Sequence, residues 1–96
     1  MGSKVSASVQ ILDAIKAKHA LRSDYALAKA MGMKNQSPIC NYRANRSQFD
    51  DETAIKAAEL LGECPCIVLA RIAAERAKSP KARAAWKDAA KRLAQL

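Results

Sequence analysis

Ninety-six residues can bury one modest core and have little left for a second, so the chain reads as a single domain over 1–96. The formal charge of +8 favours a polyanion, nucleic acid or an anionic membrane surface, over an acidic small substrate. An odd three cysteines without a secretory signal point to a reducing cytoplasm rather than a disulfide framework, and no apolar run approaches the roughly 20 residues that cross a bilayer.

Half of the residues are apolar, but 21 are alanine. The core is therefore expected to be thin, built around Ile11, Ile15, Leu27, Ile39, Ile55, Leu61, Leu69 and Trp86. The opening "MGSKVS" fits the myristoylation pattern, with Gly2 second and Ser6 sixth, although "MGS" is also a common cloning remnant.

Residues 8 to 21 carry Ile11, Leu12, Ile15 and His19 at helical spacing, with Ser6 or Ser8 as cap and His19 partly buried. "SDYALAKAMG" opens on Ser23 as N-cap, places Asp24 where a carboxylate suits the helix dipole, and closes at Gly32. In "SPICNYRANR", Ser37 is the expected cap and Pro38 the first helical residue of a helix reaching about Ala44. "SQFDDETAIKAAELLG" is a loop, a cap at Asp50 with Phe49 as a staple against Ala54, and a helix that ends at Gly62 and turns Ile55, Ala58 and Leu61 or Leu60 inward. Pro65 and Pro80 each start a further helix, the last burying Ala82, Trp86, Ala89, Ala90 and Leu93. No segment alternates like a half-buried strand, so the fold class is all-α, with about five to six helices.

The second and third helices carry the chemistry. Ala28 and Gly32 allow a steep helix crossing, and Ile39 with Tyr42 gives the third helix an inner face. Outside remain Lys34, Asn35, Gln36, Ser37, Asn41, Arg43, Asn45 and Arg46, without an acid. Asn and Gln suit the edge of adenine, Arg suits guanine or phosphate, and a helix fits the major groove.

From Ser23 to about Leu61 the chain resembles the lambda-repressor-like helix-turn-helix family of phage repressors and Cro-type regulators, through "DYALAKAMG", "NQSPICNYRANR" and "FDDETAIKAAELLG". "YRANRSQFDDETA" and "VLARIAAERAKSPKARAAW" further resemble small regulators of phage and prophage regions. The resemblance implies a helix-turn-helix over about 23–44, base contacts from Gln36, Ser37, Cys40 and Asn41, backbone contacts from Lys34, Asn35, Arg43 and Arg46, and structural roles for Ala28, Gly32, Ile39 and Tyr42. Gly32 to Ile39 spans seven positions where the family uses six, so the turn is one residue longer.

"CPC", Cys64 to Cys66, is too poor in ligands for zinc and reads as a cap residue followed by a small core residue. With one histidine and no glycine-rich phosphate loop, neither an enzyme nor a metal, cofactor or small-molecule substrate is expected. Arg83, Lys87 and Lys91 form a row that reads as a solvated face or a phosphate grip. The expected function is a sequence-specific double-stranded DNA-binding regulator, a phage or prophage repressor. It would act as a homodimer on a palindromic operator, with residues 65–95 as dimerisation extension. The alternative is a helical protein-binding module such as an antitoxin or adaptor with a basic face; RNA binding ranks third, with few aromatic residues for stacking.

Overall fold

The computed structural model describes residues 6–96, so the Gly2 lipidation pattern lies outside the described residues. It contains six helices and, among the described residues, no strand: α1 (Ala7–Lys18), α2 (Asp24–Ala30), α3 (Ser37–Arg43), α4 (Asp51–Leu61), α5 (Pro65–Arg76) and α6 (Pro80–Ala94). The N-termini follow their caps. Ser6, Ser23, Asp50 and Ser79 each accept the N–H of the residue three positions on, which satisfies one of the orphan donors of the first turn. Ser8, the other cap considered for α1, is instead fully buried inside the helix.

The first four helices end alike. In each, two N–H groups reach back to carbonyls of the last turn around one left-handed residue: Ala20 (φ 53°), Gly32 (φ 77°), Asn45 (φ 61°) and Gly62 (φ 72°). This Schellman closure satisfies the orphan carbonyls and turns the chain sharply enough for short helices to fold back on one core. It also explains why α1 stops at Lys18, short of the expected Leu21: the left-handed position falls on Ala20 although no glycine marks it. His19 consequently sits at the cap, exposed, with its Nε2 2.7 Å from the carbonyl of Leu60. Beside it the Lys18 ammonium donates to the carbonyl of Leu61 at 2.6 Å, so the end of α1 covers the open carbonyls of α4.

The core lies among α1 to α5. Ile11, Leu12, Ile15, Leu27, Ile39, Phe49 and Val68 are fully buried, together with Ala54, Ala57 and Ala58 of α4. Those alanines let neighbouring helices approach closely, because interaxial distance follows the side chains at the contact. Phe49 does more than staple its helix: its ring meets that of Tyr42 edge-on, 4.9 Å between centroids at 73°. Ile55, Leu61 and Leu69 are only half-buried at the margin of this core.

α6 packs on α5 and on no other helix, and none of its residues is buried. Trp86, expected inside, is 45% exposed: a single helix on one side covers only part of so large a ring. A second lock closes the other end of the bundle. Glu75 of α5 accepts both the Ala7 N–H and the Ser8 hydroxyl (2.9 Å for the latter), and Ser8 Oγ in turn accepts the Phe49 N–H at 3.4 Å.

Ala20 and Gly32 make opposite predictions. A left-handed Cβ costs about 1–2 kcal/mol, partly offset by the greater freedom of glycine in the unfolded chain. Ala20→Gly should therefore raise the unfolding free energy by about 0.5–1 kcal/mol. Gly32→Ala should lower it by about 1 kcal/mol through backbone strain alone, since a Cβ there meets nothing within 4 Å. Urea titrations at unchanged m-value read both.

Candidate nucleic-acid interface

α2 begins on its Ser23 cap, turns Leu27 and Ala28 into the core and ends at Gly32. Met31 to Gln36 then leads to α3, whose Ile39 and Tyr42 are buried against the same core. Burial raises the Tyr42 phenol above its ordinary pKa, so it stays neutral in the core at physiological pH. The two helices thus share an inner face made by Leu27, Ala28, Ile39 and Tyr42.

Lys34, Asn35, Gln36, Ser37, Cys40, Asn45 and Arg46 are exposed, while Asn41 and Arg43 are half-buried. Ser37 is not the cap expected of it. It is the first residue of α3, Gln36 holds the cap position without a side-chain hydrogen bond, and the Asn35 carboxamide oxygen accepts the Ser37 N–H at 2.9 Å. Asn35 has taken over the capping duty because its side chain reaches the donor two positions on, which leaves the Ser37 hydroxyl and the Gln36 amide facing solvent. At the other end Arg46 Nη1 donates to Asn41 Oδ1 at 3.1 Å, and this holds the Asn41 carboxamide while its NH2 keeps its donors.

Arg43 sits differently from the free phosphate ligand implied by the resemblance. Its Nε and Nη2 donate to the two carboxylate oxygens of Asp24 at 2.9 and 3.0 Å, and Nη2 also reaches Asp13 Oδ1 at 3.0 Å. Lys16 Nζ completes the cluster, 3.3 Å from Asp24 Oδ1. One guanidinium on α3 therefore ties down α2 and α1 together. These hydrogen bonds from Arg43, with Lys16 adding to them, hold the Asp24 carboxyl below the usual carboxylate range against the opposing effect of partial burial. Pairing of this kind joins residues 19 and 30 positions apart, and in the sequence Asp24 signals only its place in a first turn.

The remaining chemistry is sparse. All three cysteines are free and exposed; Cys64 is the N-cap of α5, and Cys66 faces solvent rather than the core, with a hydrogen bond to Cys64 pushing its thiol pKa up. Among the described residues no cluster of His, Cys, Asp or Glu could hold a metal ion, and no helix is long and apolar enough to cross a membrane. Arg83, Lys87 and Lys91 line one side of a groove of about 670 Å3 between α6, α5 and the start of α1.

Residues 69–96 match a family described as "Phage related protein". The chain is also 36% identical over 62 residues to "Uncharacterized protein Gp-c" of Pseudoalteromonas phage PM2, a match that spans 65% of this chain and 65% of that protein. No solved structure matches. These likenesses are to phage proteins, not to the lambda-repressor-like family.

Because Asp24 has a depressed pKa, its share of the stability is present above the unfolded carboxyl value of about 3.9 and is lost as the pH falls through the folded value. Arg43→Gln should accordingly lower stability by about 1 kcal/mol at neutral pH, the scale of a partly exposed ion-pair network. The gap to the unsubstituted chain should close as the pH is taken below about 4, which denaturation series at several pH values would measure.

Proposed function

We infer that this chain is a sequence-specific double-stranded DNA-binding regulator of phage type, with α2 and α3 as its helix-turn-helix and α3 as the helix that enters the major groove. The observation that carries the reading is the outer face of that unit. Lys34, Gln36, Ser37, Cys40 and Asn41 project from the turn and α3 with no carboxylate among them, while Ile39 and Tyr42 anchor the same helix inside.

Gln36 and Asn41 are the amide readers, each able to pair with an adenine edge, and Ser37 and Cys40 lie beside them. Asn41 reads while tethered: its Oδ1 has two acceptor sites, one of which Arg46 occupies, leaving the other and the NH2 for a base. Lys34 grips phosphate. Asn35 and Arg43 act here as positioning residues, the first through the α3 cap and the second through Asp24 and Asp13, and Arg46 combines a backbone contact with orienting Asn41.

One seven-residue helix contacts too few base pairs to single out a site in a genome. The reading therefore includes a homodimer on a palindromic operator, with half-sites about 34 Å apart. Half-exposed Trp86 suits the α5–α6 hairpin as part of that dimer contact. No catalytic step, cofactor or small-molecule substrate belongs to this function, and regulation follows from operator occupancy.

Selection of bound fragments from random duplex DNA, followed by gel shifts at two salt concentrations, tests it. Asn41→Ala should cost about 1–3 kcal/mol and relax preference at one base pair, whereas Lys34→Ala should weaken every sequence alike and reduce the salt slope by about one. Binding that stays sequence-blind throughout the selection would refute the regulator.

A further inference from the structure

The basic row on α6 does not stand alone. Arg83, Lys87 and Lys91 face a groove of about 670 Å3 whose other side is formed by Arg71 and Glu75 of α5, Gln10 of α1, and Asn45 and Gln48 of the segment after α3. Four cations thus converge from two helices, with neutral amides between them.

The one carboxylate in the groove is already committed, since Glu75 accepts the Ala7 N–H and the Ser8 hydroxyl at the start of α1. Arg71 has a neutral partner, Gln10 Oε1 at 3.2 Å, and Arg83 donates one N–H to the Ala77 carbonyl at 3.0 Å. Among the described residues none of Arg71, Arg83, Lys87 and Lys91 forms an ion pair. A row kept only for solubility would be interleaved with acids, as happens elsewhere on α6, where Arg92 meets Asp88 at 2.8 Å. The groove instead sets four cations against the single carboxylate of Glu75, with amide donors beside them, a net positive lining of the kind that phosphodiester oxygens take.

Its position links it to α3. Asn45, which lines the groove, is the left-handed residue that ends α3. The groove therefore starts where the reading helix stops. A duplex that receives α3 in its major groove carries a phosphodiester strand along each side of that helix.

We propose that the groove between α5, α6 and the start of α1 is a second DNA contact, which takes the phosphate backbone flanking the site read by α3 through Arg71, Arg83, Lys87 and Lys91. This rests on the reading of the chain as a duplex-DNA binder. It adds affinity, footprint length and salt dependence, but no base preference, because phosphates carry no sequence information directly.

The test compares two matched pairs of substitutions in the full chain, K87Q/K91Q in the groove and K56Q/K81Q at exposed positions that do not line it. Each protein is titrated onto the selected operator and onto a random duplex over a range of salt concentrations. The groove pair should lower the slope of log K against log salt by about 1.8, at about 0.9 per phosphate contact, on both duplexes and with operator preference intact. The outer pair should change the slope by less than half as much. K87R/K91R, which keeps both charges, should hold the original slope and guards against a folding artefact. Equal changes for the two Gln pairs, an unchanged slope in K87Q/K91Q, or a drop in K87R/K91R overturns the groove. If the unsubstituted chain binds no duplex, both readings fall; if it prefers its operator while K87Q/K91Q titrates like it, only the groove falls.

Discussion

The pairing of Arg43 with Asp24 decides how α3 is presented. A helix of seven residues has no stability of its own in water, and its two core anchors, Ile39 and Tyr42, leave it free to roll about the line between them. The guanidinium removes that freedom. Two parallel hydrogen bonds to one carboxylate fix its plane as well as its distance, and the further bond to Asp13 sets α3 against α1 as well as α2. A cation in the last turn of α3 is thereby spent on orientation. The positive charge left outside comes from Lys34 and Arg46, at the two ends of the helix, with uncharged amides and hydroxyl between them.

The same economy runs through the core. With so many alanines, few side chains are large enough to fill the space between helices, and Phe49 takes the central place although it belongs to a loop. It stays there because its ring stacks edge-on against Tyr42 and its N–H finds Ser8, whose hydroxyl is held by Glu75. A buried polar group normally costs stability; here the hydroxyl donates to one partner and accepts from another, so nothing is left unpaired.

Much of this was readable from local chemistry. Ser23 and Asp50 cap helices where the sequence places them, Pro65 and Pro80 open α5 and α6, and Gly32 and Gly62 close α2 and α4. Each is a signal confined to one turn of backbone. Two expectations fail for one reason. Helical spacing says which residues lie on one face but not whether anything covers that face, so Trp86 lacks the core that α5 alone does not provide, and Cys66 faces solvent. Ala20 went unseen as a helix end because the left-handed position carries a Cβ. The long-range pairs, Arg43 with Asp13 at the site and Glu75 with Ala7 in the fold, join residues 30 and 68 positions apart, and neither partner has a local signature.

Charge completes the picture. Residues 71–96 hold eight basic residues against two acids, yet α6 has no fully buried residue and packs only on α5. A terminal helix that merely lengthened the bundle would gain from acids on its outward row, since i,i+4 pairs stabilise it and like charges at that spacing oppose it. Arg83, Lys87 and Lys91 keep like charges four apart, and Asp88 beside the row is paired with Arg92. Such repulsion is small at a surface in salt, but it has a sign, and that sign is against the isolated chain. A polyanion lying along the row reverses it, because each cation of the row that displaces a counterion from a phosphate turns mutual repulsion into shared attraction. The helix that packs on a single neighbour is thus the one whose surface gains most from a partner.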